Sequence, residues 1–231
     1  MKAEARFLAA YYWWQLLETY GPIPFRPNYI APTDFTLSDL MVGQRPFDEV
    51  VSHLDNEMLE ASKQLPAVWQ SVEKYGRITS VMCLTVRAKM LLFAASPLVN
   101  GNEWYAGFKN YDGKFRFSQT YDPAKWKRAA DANRELIEAA HAAGHDLVRE
   151  YNADGSIDPF MSCYNVFFLR GDQNPEALFI RSDCDFSEFE RHATPRGASG
   201  NGGLGVYQTL VDAFAMKDGS LPITGYDGNY G

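Results

Sequence analysis

The chain has little of what several large protein classes require. Its three cysteines, Cys83, Cys163 and Cys184, are scattered through 231 residues. They supply neither the close pairs of a zinc site nor a dense disulfide framework. Cys83 sits in an apolar helical stretch and reads as a buried free thiol, while a Cys163–Cys184 bridge stays open as an alternative. Basic residues are outnumbered, 22 against 29 acidic ones, for a net charge of −7. Nucleic acid and anionic membrane surfaces both need a basic face, and this balance argues against each. No apolar run approaches the roughly 18 residues that a membrane span needs. The longest, around Met90-Leu-Leu-Phe-Ala-Ala95, is broken by Ser96-Pro97. The glycine-rich stretch 197–205 lacks the Gly-Lys-Ser/Thr ending of a phosphate loop. No Ser–His–Asp or Cys–His set is recognisable. The acids Asp183, Asp185, Glu188 and Glu190 read as a solvated face rather than as a facing catalytic pair.

Two patterns resemble ion sites and fall short. His141 and His145 have the four-residue spacing of metal ligands on a helix, but no Glu lies between them and Gly144 interrupts. Asn152-Ala-Asp154-Gly-Ser156-Ile-Asp158 begins like a calcium loop. It lacks the bidentate Glu at the twelfth position, and a turn around Asp154-Gly155 is the simpler reading. No cofactor is called for.

Helical periodicity and aromatic residues are what the chain has in quantity. Four segments carry a helical period. The first runs from about Lys2 to Tyr20, is apolar nearly all round, and stops at Gly21-Pro22; such a helix is expected to be buried on most sides. The second begins at Pro46 and carries the stripe Phe47, Val50, Val51, Leu54, Met58, Ala61 and Leu65. The third begins at Thr79 or Ser80 and ends before Pro97, with the stripe Val81, Leu84, Ala88, Leu91, Leu92 and Ala95. The fourth begins at Asp122-Pro123, ends near Gly144, and carries Trp126, Ala129, Ala130, Asn133, Leu136, Ile137 and Ala140. Trp13, Leu16 and Tyr20 match the spacing of a tetratricopeptide first helix. These features predict a mostly α fold with tetratricopeptide-like helix pairs over 1–145 and a loop-rich portion over 146–231 packed on it. In that portion 160–168 and 209–216 read as helices, and 177–180 as a short strand or extended piece.

Long loops at 21–45 and 97–122 interrupt the helices, and loops of that length are usually functional or disordered. The second places Trp104, Tyr105, Phe108 and Tyr111 among Asn102, Asn110 and Asp112. A sugar ring presents a face of C–H bonds and a rim of hydroxyls. Flat aromatics beside amides and carboxylates complement both. The alternative is that these aromatics merely pin the loop to the helices. A second aromatic set joins Tyr226 and Tyr230 with Arg181.

Several blocks resemble one family in order along the chain. They are Ala3-Glu-Ala-Arg-Phe7 with Tyr20-Gly-Pro-Ile-Pro24; Pro46-Phe-Asp-Glu-Val50; Gly76-Arg-Ile-Thr79; Tyr121-Asp-Pro with Lys125-Trp126; Asn174-Pro-Glu-Ala-Leu-Phe179; and Tyr207-Gln-Thr-Leu-Val-Asp-Ala-Phe-Ala-Met-Lys-Asp-Gly219. Together they resemble the SusD/RagB outer-membrane nutrient-binding lipoproteins. That resemblance implies a SusD-like helical fold and non-catalytic capture of an oligosaccharide. It also implies a SusC-like TonB-dependent transporter as partner, and a lipid-anchored location on the outer face of the outer membrane. Family members are longer and begin with a lipoprotein leader. This chain opens directly in a helix-like pattern, so it is expected to be an internal segment, truncated at both ends, with the anchor outside it. The rival readings are a tetratricopeptide-type peptide or protein adaptor and a glycosidase on a helical scaffold.

Overall fold

The computed structural model describes residues 1–30, 32–171, 173–180 and 185–221. It is mostly α, with eight α-helices among the described residues and one two-residue β-hairpin. Two compact units divide it, Met1–Ser182 and Asp183–Gly231.

The first unit is built on α1 (Lys2–Tyr20), α3 (Phe47–Ser62), α4 (Ser80–Ala95) and α5 (Ala124–Ala142); the four-residue α2 (Leu37–Leu40) lies in the loop between α1 and α3. The long helices pack in chain order, α1 on α3, α3 on α4 and α4 on α5. Their ends follow local chemistry. Gly21 takes φ 70°, which only glycine adopts freely, and its N–H caps Leu17. The Thr79 hydroxyl accepts from the Met82 N–H at 3.2 Å and starts α4. Ser96, held extended before Pro97, ends it.

The core is one apolar cluster in which Phe7, Trp14, Leu17, Phe47, Leu54, Met58 and Met90 are almost fully buried. Cys83 lies within it, and burial pushes its thiol up to about 12, so it stays neutral. Arg87 is buried on α4. Its Nε donates to Asp55 Oδ1 at 2.6 Å and its Nη1 to Glu135 Oε2 at 2.6 Å, tying α3, α4 and α5 together. Arg128 also reaches Asp55. Ion pairs of Arg6 with Glu57, Arg77 with Glu4 and Lys89 with Glu18 also hold α1.

Several expectations need correction. Helix α1 buries one face, not most sides; Tyr12, Leu16 and Tyr20 are exposed. The tetratricopeptide-like positions Leu16 and Tyr20 therefore lie outside the core, and only Trp13 is packed, edge-on to Phe25. Leu92 of α4 is also exposed, as are Trp126 and Ile137 of α5, which meets the rest through small residues, with Ala129, Ala132 and Ala140 buried. No strand forms over 177–180, where 178 and 179 make a bend. What fixes them is Phe179, whose ring meets Phe7 and Tyr11 edge-on. Helix α5 ends at Ala142, so His145 is not on it with His141; His145 Nδ1 contacts the Pro175 carbonyl oxygen at 3.1 Å instead.

After α5, β1 (Glu150–Tyr151) and β2 (Ile157–Asp158) flank the Asp154-Gly155 turn, and α6 (Pro159–Phe168) follows. Asp154 Oδ1 accepts from the Ser156 N–H and hydroxyl, the hydrogen bonding of a turn. In α6, Phe160, Tyr164 and Phe168 stack in a column along the helix. Cys163 beside them is an exposed free thiol. Cys184, Asp183, Arg181, Tyr226 and Tyr230 lie outside the described residues. The second unit carries α7 (Ser187–Ala193) and α8 (Gln208–Asp212), the latter shorter than the sequence predicts. Glu188 there pairs with Arg191 in an exposed i,i+3 contact. Among the described residues no helix is long and apolar enough to cross a membrane.

Candidate functional site

The loop between α4 and α5 is closed at its base and ordered by its own hydrogen bonds. Buried Asn100 exchanges two bonds with Asp122: its Nδ2 donates to the Asp122 carbonyl at 2.9 Å, and its Oδ1 accepts from the Asp122 N–H at 3.0 Å. Gly101 at φ 72° lies so close to the returning chain that a Cβ would meet the Tyr121 nitrogen at 2.3 Å. Asn102 then caps a short 3-10 turn, accepting from the Trp104 N–H at 2.9 Å and donating to the Leu98 carbonyl at 3.0 Å. At the far end, Asn110 and Lys114 close a tight turn around Gly113. Asp112 Oδ1 accepts from the Lys114 N–H there. Asn110 Nδ2 donates to the Gln44 carbonyl at 3.1 Å and fastens the turn to the 21–45 loop.

The four aromatics of the loop divide in two. Tyr105 lies flat on Phe117, centroids 4.1 Å apart at 13°, and Phe108 stacks beside them, 6.3 Å from Phe117. Phe117 in turn stacks on Phe47 of the core. Tyr105 and Phe108 thus do pin the loop. Trp104 and Tyr111 do not; their side chains are 88% and 81% exposed. Their backbones are held by the hydrogen bonds just described, so two large rings stand in water on a fixed frame. Asn102, Asn110 and Asp112 spend their polar groups largely on loop backbone.

The same loop walls a cleft of about 330 Å³ whose opposite side is the end of α1 and Gln44. Tyr105, Phe108 and Phe117 supply its aromatic wall, and Glu18, Gln44 and Arg116 its polar groups. Glu18 pairs with Lys89 at 3.2 Å. Arg116 lies over the Phe108 ring, 4.5 Å from its centroid. Two buried atoms in this lining, Arg116 Nε and Gln44 Oε1, have no hydrogen-bond partner among the described residues. Sequence reasoning missed Arg116, Gln44 and Phe117. Their burial has no local sign in the sequence, since Phe115 is exposed and Phe117 buried although a strand period would put both on one face.

A larger cleft of about 460 Å³ lies between residues 67–79, the end of α5 and residues 171–180. Its groups are mostly committed to the fold. Trp69 donates its ring N–H to the Ile78 carbonyl at 3.0 Å, and Arg77 Nη2 donates to both carboxylate oxygens of Glu4. Lys74 and Arg77 both lie over the Trp69 ring.

No family model matches the chain, and neither does any curated protein sequence. Solved structures do match. BT4246 aligns with a TM-score of 0.78 and 28% identity, over 97% of this chain and 43% of its own length. A selenomethionine form of BT4246 gives 0.72. A SusD-like protein of Bacteroides fragilis, BF3747, gives 0.63 at 17% identity, over 95% of this chain and 36% of its own. The fold is therefore SusD-like. The chain spans less than half the length of each of these structures.

Proposed function

We propose that this chain is part of a cell-surface nutrient-binding protein that captures an oligosaccharide without cleaving it. It delivers the glycan to a SusC-like TonB-dependent transporter from a lipid-anchored position on the outer membrane. The observation that carries this reading is the pair of exposed rings, Trp104 and Tyr111, on a loop whose backbone is locked by Asn100, Asn102 and Asn110. Aromatics on an already ordered backbone bind sugar faces without a loop-ordering cost, and the neighbouring cleft offers polar groups for hydroxyls. The SusD-like fold and the SusD/RagB-like sequence blocks support the same reading.

Capture is favoured over hydrolysis by the cleft beside the loop. A glycosidase needs two carboxylates facing across the scissile bond. Among the described residues lining that cleft, Glu18 is the one carboxylate, and Lys89 holds it. The deciding experiment is affinity electrophoresis against plant, host and microbial polysaccharides, with a reducing-sugar assay on the same mixtures. Retardation without new reducing ends is the expected result. Release of reducing sugar replaces capture with hydrolysis. Silence in both, with a captured peptide or protein partner, replaces it with the adaptor.

A further inference from the structure

The cleft beside the aromatic loop contains a cation, Arg116, for which the described residues supply no counter-ion. Elsewhere in the first unit Arg6 pairs with Glu57, Arg77 with Glu4, and Arg87 with Asp55 and Glu135, while half-buried Arg26 donates to the Asp39 carbonyl and lies over the Tyr29 ring. Arg116 is half-buried, and no ion pair holds its guanidinium among the described residues. Its plane lies over Phe108, its backbone N–H and carbonyl are used by Phe108 and Phe47, and its Nε is buried with no acceptor. A chain with seven more acids than bases (29 − 22) does not lack carboxylates to place there. Leaving a desolvated guanidinium N–H unmatched is costly unless something outside the chain accepts from it.

Gln44 adds the complementary half. Its Oε1 is buried in the same lining with no donor. Its carbonyl is fixed by Asn110, so the position of the residue is set. One stranded cationic donor and one stranded acceptor, walled by Tyr105 and Phe108, describe a ligand with three features. It must carry anionic oxygen for Arg116, a donating hydroxyl for Gln44, and an apolar face for the rings. Neutral sugars have the second and third features only.

We infer that this cleft is a subsite for an anionic saccharide unit, one bearing a uronate carboxylate or a sulfate ester. Arg116 takes the charge and Gln44 accepts from a neighbouring hydroxyl. The inference rests on the glycan-capture reading and narrows it to acidic glycans. Guanidinium is suited to either group, since its planar fork matches carboxylate and sulfate oxygens alike.

The test is affinity electrophoresis of the full chain in gels containing polygalacturonate, chondroitin sulfate or neutral dextran, repeated for Arg116→Met, Arg116→Lys and Gln44→Leu. Thermal melting of each variant is recorded beside it. The expected result is retention by polygalacturonate or chondroitin sulfate, whichever carries the recognised acid. Arg116→Met then weakens that retention by roughly tenfold or more, and Arg116→Lys weakens it less. Gln44→Leu lowers it independently, which covers the case in which Arg116→Met fails to fold. Retention by dextran alone overturns the inference and leaves glycan capture standing, as does acidic-glycan retention that survives both Arg116→Met and Gln44→Leu. Retention by none of these polymers, nor by the wider panel, removes the capture reading and the inference with it.

Discussion

Asn100 holds Asp122 by both its backbone groups, and through that one contact the two ends of a loop of more than twenty residues meet. The Asn100 side chain is 3% exposed and also reaches the Ala95 carbonyl at 3.3 Å. Asn100→Ala removes a buried donor and acceptor and strands the Asp122 N–H. The expected cost is about 2–3 kcal/mol of unfolding free energy, read by urea titration. Proteolysis should also cut first between residues 102 and 120, before global unfolding. A variant as stable and as protease-resistant as the parent shows that the loop is held by its aromatic stack alone.

Trp104 and Phe117 are opposites on the same loop. Trp104 points into water, whereas Phe117, 7% exposed, is stacked between Tyr105 and Phe47. Trp104→Ala should leave stability within about 0.5 kcal/mol, as surface changes do, and abolish glycan retention. Phe117→Ala should cost about 3–5 kcal/mol through the cavity it leaves. Unchanged glycan affinity in Trp104→Ala would remove that ring from the binding surface.

Asp55 receives two arginines, Arg87 from α4 and Arg128 from α5, at a side chain that is 11% exposed. Removing the carboxylate leaves Arg87 buried beside Glu135 alone. Asp55→Ala should therefore destabilise by about 3–5 kcal/mol, the usual cost of breaking a buried pair from one side. Replacing Asp55 and Arg87 together with apolar residues should cost less than Asp55→Ala, because no charge is then stranded. A double variant less stable than either single one contradicts this account.

The helices were legible because their stops and caps are local. Gly21, Thr79 and Pro97 set three boundaries by backbone chemistry that needs no knowledge of the fold. The outward side of α1 was not legible. Tyr12, Leu16 and Tyr20 carry the composition of a buried face, and only packing decides which apolar face meets the core. The same limit applies to the site. The sequence gathered Trp104, Tyr105, Phe108 and Tyr111 in one loop, but nothing in their spacing separates rings that face water from rings that face Phe117. Arg116 and Gln44 are far apart in sequence and line one cleft because Asn110 bonds the Gln44 carbonyl and the Phe47 N–H bonds the Arg116 carbonyl.

Arg6 and Glu57 join α1 to α3 with two short bonds, 2.6 and 2.8 Å. The Arg6 hydrogen bond holds the Glu57 carboxyl below its ordinary value of 4.5, against the opposing effect of its partial burial. Because the folded value lies below the unfolded one, the ionised carboxylate stabilises the fold above about pH 4.5, and the contribution is lost as pH falls through the folded value. Arg6→Met removes the cause of the shift. The stability gap between parent and Arg6→Met should therefore be constant from pH 7 to about pH 5 and narrow below 4.5. Exposed carboxylates such as Asp39 and Glu60 are also held low, by Thr36 and Lys63 in turn. Asp39 steepens the acid limb of both proteins equally and cancels in the difference, whereas Glu60, held low chiefly by Lys63 and in part by Arg6, adds a smaller part to it. Urea unfolding at half-unit intervals between pH 7 and pH 3 reads that difference directly. Curves that stay parallel to pH 3 show that the pair holds the helices by packing of the Arg6 stem rather than by charge.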